Sequence, residues 1–340
     1  MSLFQAIVLG IVQGLTEFIP ISSTAHLVFA ARAVGLYDGF DAALKAQQTT
    51  ATMAVIQLGT LLAVLIYFSR DITNITRAFV ADHVALLTGR TPVSSGASVP
   101  SGGNIPSGRG PSGGRVPSGA SDPSSVSIPS GGSIPSAGSA AGKLSHEAWL
   151  GWLVIIGSIP VGAVGLLFKK EIEGTFTKNL WIIATMMIVV ALLLALAEWV
   201  GKRQRTMKQL GILDAIAVGC AQVLALVPGS SRSGSTIMGG LFAGETRETA
   251  ARFSFLLSIP AIAASGLLEL KEAVTKLPQE SFAPLVVATL VSAIVGYASI
   301  WFLLRFLRTH STGVFIVYRL IVGGFILFAL SSGYISASVN

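Results

Sequence analysis

The sequence predicts an all-α polytopic membrane protein: six full spans and two re-entrant helical hairpins, arranged as an inverted repeat. Three observations carry that prediction. The 340-residue chain is 52% hydrophobic and only 11% charged, with a mean hydropathy of +0.72. An ordinary soluble domain carries about 25% charged residues, and only lipid can solvate so much apolar surface. Six stretches (51–68, 149–168, 180–199, 253–269, 284–307 and 314–331) are long enough to cross a bilayer, which takes about 20 residues. Two others, 3–20 and 211–227, run into proline and small hydroxyl residues and then resume as 24–36 and 236–243.

The first interrupted segment, within residues 1–36, reads "GIVQGLTEFIPISST" at its break; the second, 211–243, reads "GCAQVLALVPGSSRS". A break frees backbone groups that lipid cannot satisfy, so each segment is expected to turn back inside protein or along a cavity. Both run Gly-x-x-Gln, then apolar residues, then Pro, then a serine pair. Three spans follow each hairpin, and an odd number of spans turns the second copy upside down. The whole of 1–340 is expected to form one integral membrane domain. Residues 91–142 interrupt it with a Ser/Gly/Pro tract too poor in apolar residues to offset its ordering entropy, which predicts a disordered cytoplasmic linker.

The net charge of +7 points to loop placement rather than to nucleic acid. Arg70, Arg77, Lys202, Arg203, Arg205, Lys208, Arg247, Arg252 and Arg308 fall on one side. Lys45, Lys169, Lys170, Lys178, Lys271 and Lys276 fall on the other. The richer set predicts the cytoplasmic face. A lone cysteine, Cys220, excludes an intrachain disulfide.

Charges inside apolar segments cost about 2.5–3.5 kcal/mol each on insertion scales and mark function by default. The candidates are Glu17, His26, Asp214, Arg232 and Arg319. In "VPGSSRSGST" (227–236), Gly229 and Gly234 allow close backbone approach. Ser230, Ser231, Ser233 and Ser235 supply hydroxyls, and Arg232 supplies a planar fork suited to phosphate oxygens. A helix beginning at "TIMGGLF" would aim its N-terminus at the same loop, and every part favours an anion. In the first break, Gln13 and Glu17 share a helix face at i, i+4 and can hold a hard divalent cation or polarise water. Ser22, Ser23 and Thr24 can cap the next helical piece, with His26 in its first turn. Asp214 reads as an interfacial residue near Lys208. Arg319, beside Tyr318, reads either as half of a structural pair or as a substrate contact. An anion cradle opposite an acid, base or nucleophile set suits phosphoryl transfer.

"QGLTEFIPISSTAHL" (13–27) and "PGSSRSGST" (228–236) resemble the two signature motifs of the bacterial undecaprenyl-diphosphatase family, also called bacitracin-resistance proteins. The stretch from Gly296 to Gly324 is also similar to that family. The resemblance implies hydrolysis of undecaprenyl diphosphate to the monophosphate carrier of cell-wall synthesis, with a divalent cation (Mg or Ca). It also implies the bacterial inner membrane and a site opening to the periplasmic face. By position it implies Gln13 and Glu17 as metal ligands; Glu17, Ser23, His26 and Arg232 as catalytic residues; and Ser22, Thr24, Gly229, Ser231, Ser233 and Thr236 as substrate contacts. Gln13 stands where many members have glutamate, which removes one negative charge from a metal site, and Ala25 stands where glycine is common. The expected partners are a polyprenyl diphosphate, membrane lipids and a second copy of the chain in a homodimer, with no nucleic acid. The alternative is a transporter or flippase of phosphorylated polyprenyl lipid, which would need the clamp but not the chemistry.

Overall fold

The computed structural model describes residues 1–38, 41–90, 144–168, 179–276 and 282–337. The expected linker at 91–142 lies outside them, as do Lys169, Lys170 and Lys178. The described residues form eleven α-helices: α1 (Leu3–Phe18), α2 (Ser23–Ala33), α3 (Ala42–Tyr67), α4 (Ser69–Leu87), α5 (His146–Leu167), α6 (Leu180–Val200), α7 (Ile212–Val223), α8 (Arg232–Phe242), α9 (Arg247–Lys276), α10 (Phe282–Leu307) and α11 (Gly313–Ser331). Six of them, α3, α5, α6, α9, α10 and α11, are long and apolar enough to cross a membrane. An isolated β-bridge joins Arg205 and Glu245.

Local chemistry sets the helix ends. Ser2 opens α1 through a capping box with Gln5. The Gln5 amide also donates to the carbonyls of Val34 (2.9 Å) and Gly35 (3.2 Å), which ties the start of α1 to the end of α2. Ile19 is extended, as the residue before a proline prefers, and ends α1 at Phe18. Asn179 caps α6 through Trp181 N, and Ser145 caps α5. Asp214 accepts from Gly211 N (2.7 Å) at the start of α7 and from Arg205 (2.5 Å).

Helices α3 and α9 run longer than the expected 51–68 and 253–269, and two further differences concern α8 and α4. The helix after the second break starts at Arg232, four residues earlier than expected, because Ser231 caps it; Arg232 and Ser233 therefore lie in its first turn. Helix α4 was not expected. Its charges disqualify it as a span, but Ile72, Ile75 and Phe79 recur at helical spacing and pack inward. Phe79 meets α5 at Gly151, Trp152 donates to His83 (3.1 Å), and Asp82 accepts from Ser145 N (2.6 Å).

The core lies between α1, α3, α9 and α10 on one side and α5, α6, α7, α8 and α11 on the other. Glycine permits the closest crossings. A Cβ on Gly10 of α1 would sit 2.5 Å from the Ala288 carbonyl oxygen of α10; one on Gly219 of α7 would sit 2.3 Å from that of Gly157 in α5. At one end of the bundle Glu198 accepts from Arg203, Arg247 and Thr312, joining α6, α9 and the start of α11. Arg203, Lys208, Arg247, Arg252 and Arg308 line a cavity of about 630 Å³ there.

Glu245 lies in the turn between α8 and α9, fully buried, with neither carboxylate oxygen hydrogen-bonded. Burial, reinforced by the nearby Asp214 charge and opposed by Arg205, raises its pKa to about 8. The folded state thus holds this proton more tightly than the unfolded chain does. The associated stability is present at low pH and is lost as pH rises from about 4.5 through about 8. Glu245→Gln is expected to be more stable than the parent at pH 9, by at most on the order of 5 kcal/mol, and alike at pH 4. Detergent-phase thermal melts across this range measure the difference.

Candidate functional site

The two breaks meet around one carboxylate. Glu17, in the last turn of α1, is 7% exposed. Its Oε2 accepts from Ser23 Oγ (2.8 Å) and from Gln13 Nε2 (3.1 Å). Its Oε1 faces Gln57 Nε2 of α3 at 3.4 Å and Arg232 Nη1 of α8 at 3.5 Å. The Arg232 contact is an ion pair rather than a hydrogen bond, so Nη1 is buried without a hydrogen-bond partner. A weak bond from Ser233 Oγ to the Ile19 carbonyl (3.4 Å) also crosses between the breaks.

Backbone strain shapes both tips. Ser22 and Ser231, the residues before α2 and α8, have φ of 78° and 69°, a left-handed conformation uncommon outside glycine. Ser231 uses its hydroxyl as the cap of α8, accepting from Gly234 N (3.2 Å). Ser22 makes no such cap bond; its Oγ is buried and unpartnered, so the expected capping role is not realised there. Gly229 has φ of 92°, and a Cβ there would lie 2.2 Å from the Ile183 carbonyl oxygen of α6, so glycine is needed twice over.

The carried-over residues divide by position. Gln13, Glu17, Ser23 and Arg232 converge within one set of contacts. His26 stands one turn into α2, donating Nδ1–H to the Ser22 carbonyl (2.7 Å) and bonded through Nε2 to Tyr318 Oη of α11 (2.6 Å). Thr24 is exposed on α2. Thr236 is fully buried, with its hydroxyl bonded to the Arg232 carbonyl (2.8 Å) and to Ser254 of α9, so it braces α8 from behind. Five orphaned buried atoms lie at the breaks: Gln13 Oε1, Ser22 Oγ, Ser230 Oγ, Arg232 Nη1 and Ser235 Oγ. Buried polar groups without partners cost about 1–3 kcal/mol each, so these five atoms would gain from a polar ligand at the breaks.

Arg319 turns out to be central. It is fully buried and, among the described residues, forms no ion pair. It donates instead to five carbonyls: Pro20 (3.4 Å) in the first break, Gly229 (3.0 Å) and Ser230 (3.1 Å) in the second, and Met186 (3.3 Å) and Met187 (3.1 Å) in α6. Its intramembrane charge is the signal that singled it out in the sequence. Gln57 and Tyr318 carry no comparable signal, being polar residues on otherwise ordinary spans. Arg319→Gln, which cannot reach all five acceptors, is expected to destabilise the protein by about 3 kcal/mol or more. It should also lower turnover at least tenfold. Detergent-phase melting and turnover assays check both.

Residues 6–94 and 132–325 match the family described as bacitracin resistance protein BacA. Curated relatives extend the likeness over nearly the whole chain. An undecaprenyl-diphosphatase of Syntrophobacter fumaroxidans is 45% identical, covering 96% of this chain and 97% of the relative. Proteins of the same name from Chlorobium phaeobacteroides and Mycolicibacterium vanbaalenii are 42% and 41% identical, each over 99% of this chain and 100% of the relative. The matched segments include both breaks, the charges that meet between them and the arginine that pins them, and on that likeness the chain belongs to the bacitracin resistance protein BacA family.

Proposed function

We propose that this protein is an undecaprenyl-diphosphate phosphatase of the bacterial inner membrane, hydrolysing undecaprenyl diphosphate to undecaprenyl phosphate and inorganic phosphate. One observation carries the chemistry: the Ser23 hydroxyl donates to Glu17 at 2.8 Å, with the Arg232 guanidinium 3.5 Å from the same carboxylate. That is a nucleophile, its base and an anion clamp drawn from two segments of the chain. A transporter would need only the clamp.

Ser23 Oγ attacks the terminal phosphorus as Glu17 takes its proton. Arg232, the hydroxyls of Ser22, Ser230 and Ser233, and the first N–H groups of α8 stabilise charge on the transferring phosphoryl group. Undecaprenyl phosphate leaves, and water then releases phosphate from Ser23, with His26 as base. Gln13 Oε1 and Glu17 are the groups that would hold a divalent cation, Mg or Ca; the orphaned amide oxygen beside the carboxylate fits that role. Such an ion supplies charge neutralisation at the phosphate oxygens. Among the described residues no group of three His, Cys, Asp or Glu side chains is placed to hold a metal, so substrate oxygens would complete the shell.

In this reading α1–α2 and α7–α8 are re-entrant hairpins of an inverted repeat. Leu3 to Ile212, Gly10 to Gly219, Ser22 to Ser231 and Ser23 to Arg232 are the same interval, matching helix starts, crossing glycines and strained caps. Spans α3, α5 and α6 then correspond to α9, α10 and α11. The arginine-rich end faces the cytoplasm and the site opens to the outer face. The isoprenoid tail runs between helices into lipid, which already solvates it.

Purified protein in detergent, with no second membrane side, is expected to release phosphate from undecaprenyl diphosphate and to lose most of that activity to a chelator. Arg232→Ala and Glu17→Ala should each lower turnover by about 10³-fold while keeping the parent melting profile. Near-normal phosphate release by either variant defeats the assignment.

A further inference from the structure

Both nitrogens of His26 are engaged. Nδ1 lies 2.7 Å from the Ser22 carbonyl oxygen, and a carbonyl can only accept, so Nδ1 carries the proton. The neutral ring then has one lone pair, on Nε2, and Tyr318 Oη occupies it at 2.6 Å as donor. The two rings stack, centroids 5.6 Å apart and planes within 15°, so this bond is held by packing as well as by charge. Tyr318 is 39% exposed, so the pair is not sealed inside the core. Its neighbour in sequence, Arg319, pins both breaks, so one turn of α11 places the pair and the breaks together.

Two protons must be moved in the proposed reaction, and the geometry separates their acceptors. The Ser23 proton already has Glu17 at 2.8 Å. A water that releases phosphate from Ser23 has His26 as its base, but the Nε2 lone pair is covered by Tyr318. We propose that Tyr318 is the outer member of a two-residue proton relay to His26, acting in the hydrolysis of phosphorylated Ser23. This rests on the phosphoserine reading given above. In that step a water O–H bond breaks and its proton joins Tyr318 Oη. The proton of Tyr318 passes at the same time to His26 Nε2. The water oxygen forms the new P–O bond, the bond between phosphorus and Ser23 Oγ breaks, and Ser23 recovers the proton held by Glu17. His26 returns its proton through Tyr318 to the departing phosphate.

Tyr318→Phe keeps the stacked ring and removes only the hydroxyl. With undecaprenyl diphosphate labelled in its terminal phosphate, the variant is expected to lose about 100-fold in kcat with KM little changed. It should also show a burst of one undecaprenyl phosphate per enzyme and retain label on Ser23. A purely structural role would slow turnover without burst or label. Parent-like turnover, or slow turnover lacking the burst, overturns the relay. On the parent protein, rates in mixed light and heavy water are expected to bow with isotope fraction, since two protons move together; a straight line overturns the concerted step. Ser23→Ala with parent-like turnover would instead defeat the phosphoserine route and this relay with it. Failure of the parent to release phosphate at all would defeat the diphosphatase reading itself.

Discussion

A buried guanidinium, whose hydrogen-bond partners among the described residues are all carbonyls, ties the two chain breaks together. Arg319 donates to Pro20 on one side, to Gly229 and Ser230 on the other, and to α6 behind them. Every chain break in a membrane leaves carbonyls that lipid cannot satisfy. Here one side chain satisfies carbonyls in both breaks, and its planar fork suits that task better than an ammonium would. The cost is a charge deep in the protein, offset only by carbonyl dipoles. An anion seated between the breaks lowers that cost, so the pin and the proposed substrate support one another.

The electrostatics of the site follow from this arrangement. Arg232 faces the Glu17 carboxylate, while Arg319 reaches carbonyls of both breaks, so the breaks hold two guanidinium groups suited to a phosphate group. The orphaned oxygens and nitrogen at the tips are polarity without a protein hydrogen-bond partner, and two of their residues, Gln13 and Arg232, touch the same carboxylate. Glu17 is placed to serve both Ser23 and Arg232 because its two oxygens face opposite breaks. The first break offers a carboxylate, hydroxyls and an imidazole; the second offers a guanidinium and the oriented N–H groups that open α8.

The arginine-rich end of the bundle has a different character. There five guanidinium groups meet carboxylates: Arg203 and Arg247 meet Glu198, Arg252 meets Asp71, Arg308 meets Glu248 and Arg205 meets Asp214. These pairs join helix ends. Glu245 is the exception, a carboxyl buried without a hydrogen-bond partner in the elbow that orients α8 against α9.

Much was legible in the chain before folding. Composition dictated the solvent, apolar run length dictated the six long helices, and the two Pro-Ser breaks announced themselves as interruptions that lipid would not tolerate. Glu17, Ser23 and Arg232 stood out because charge and hydroxyls were concentrated where apolar residues dominate. Helix α4 escaped because its amphipathic spacing is diluted by surface charge, and the early start of α8 escaped because one serine of several acts as its cap. Gln57, the capture of His26 by Tyr318 and the five bonds of Arg319 belong to the tertiary structure alone. Period and composition report only on neighbours within a few turns, whereas Arg319 and Pro20 are 299 residues apart, and their meeting depends on how whole helices pack.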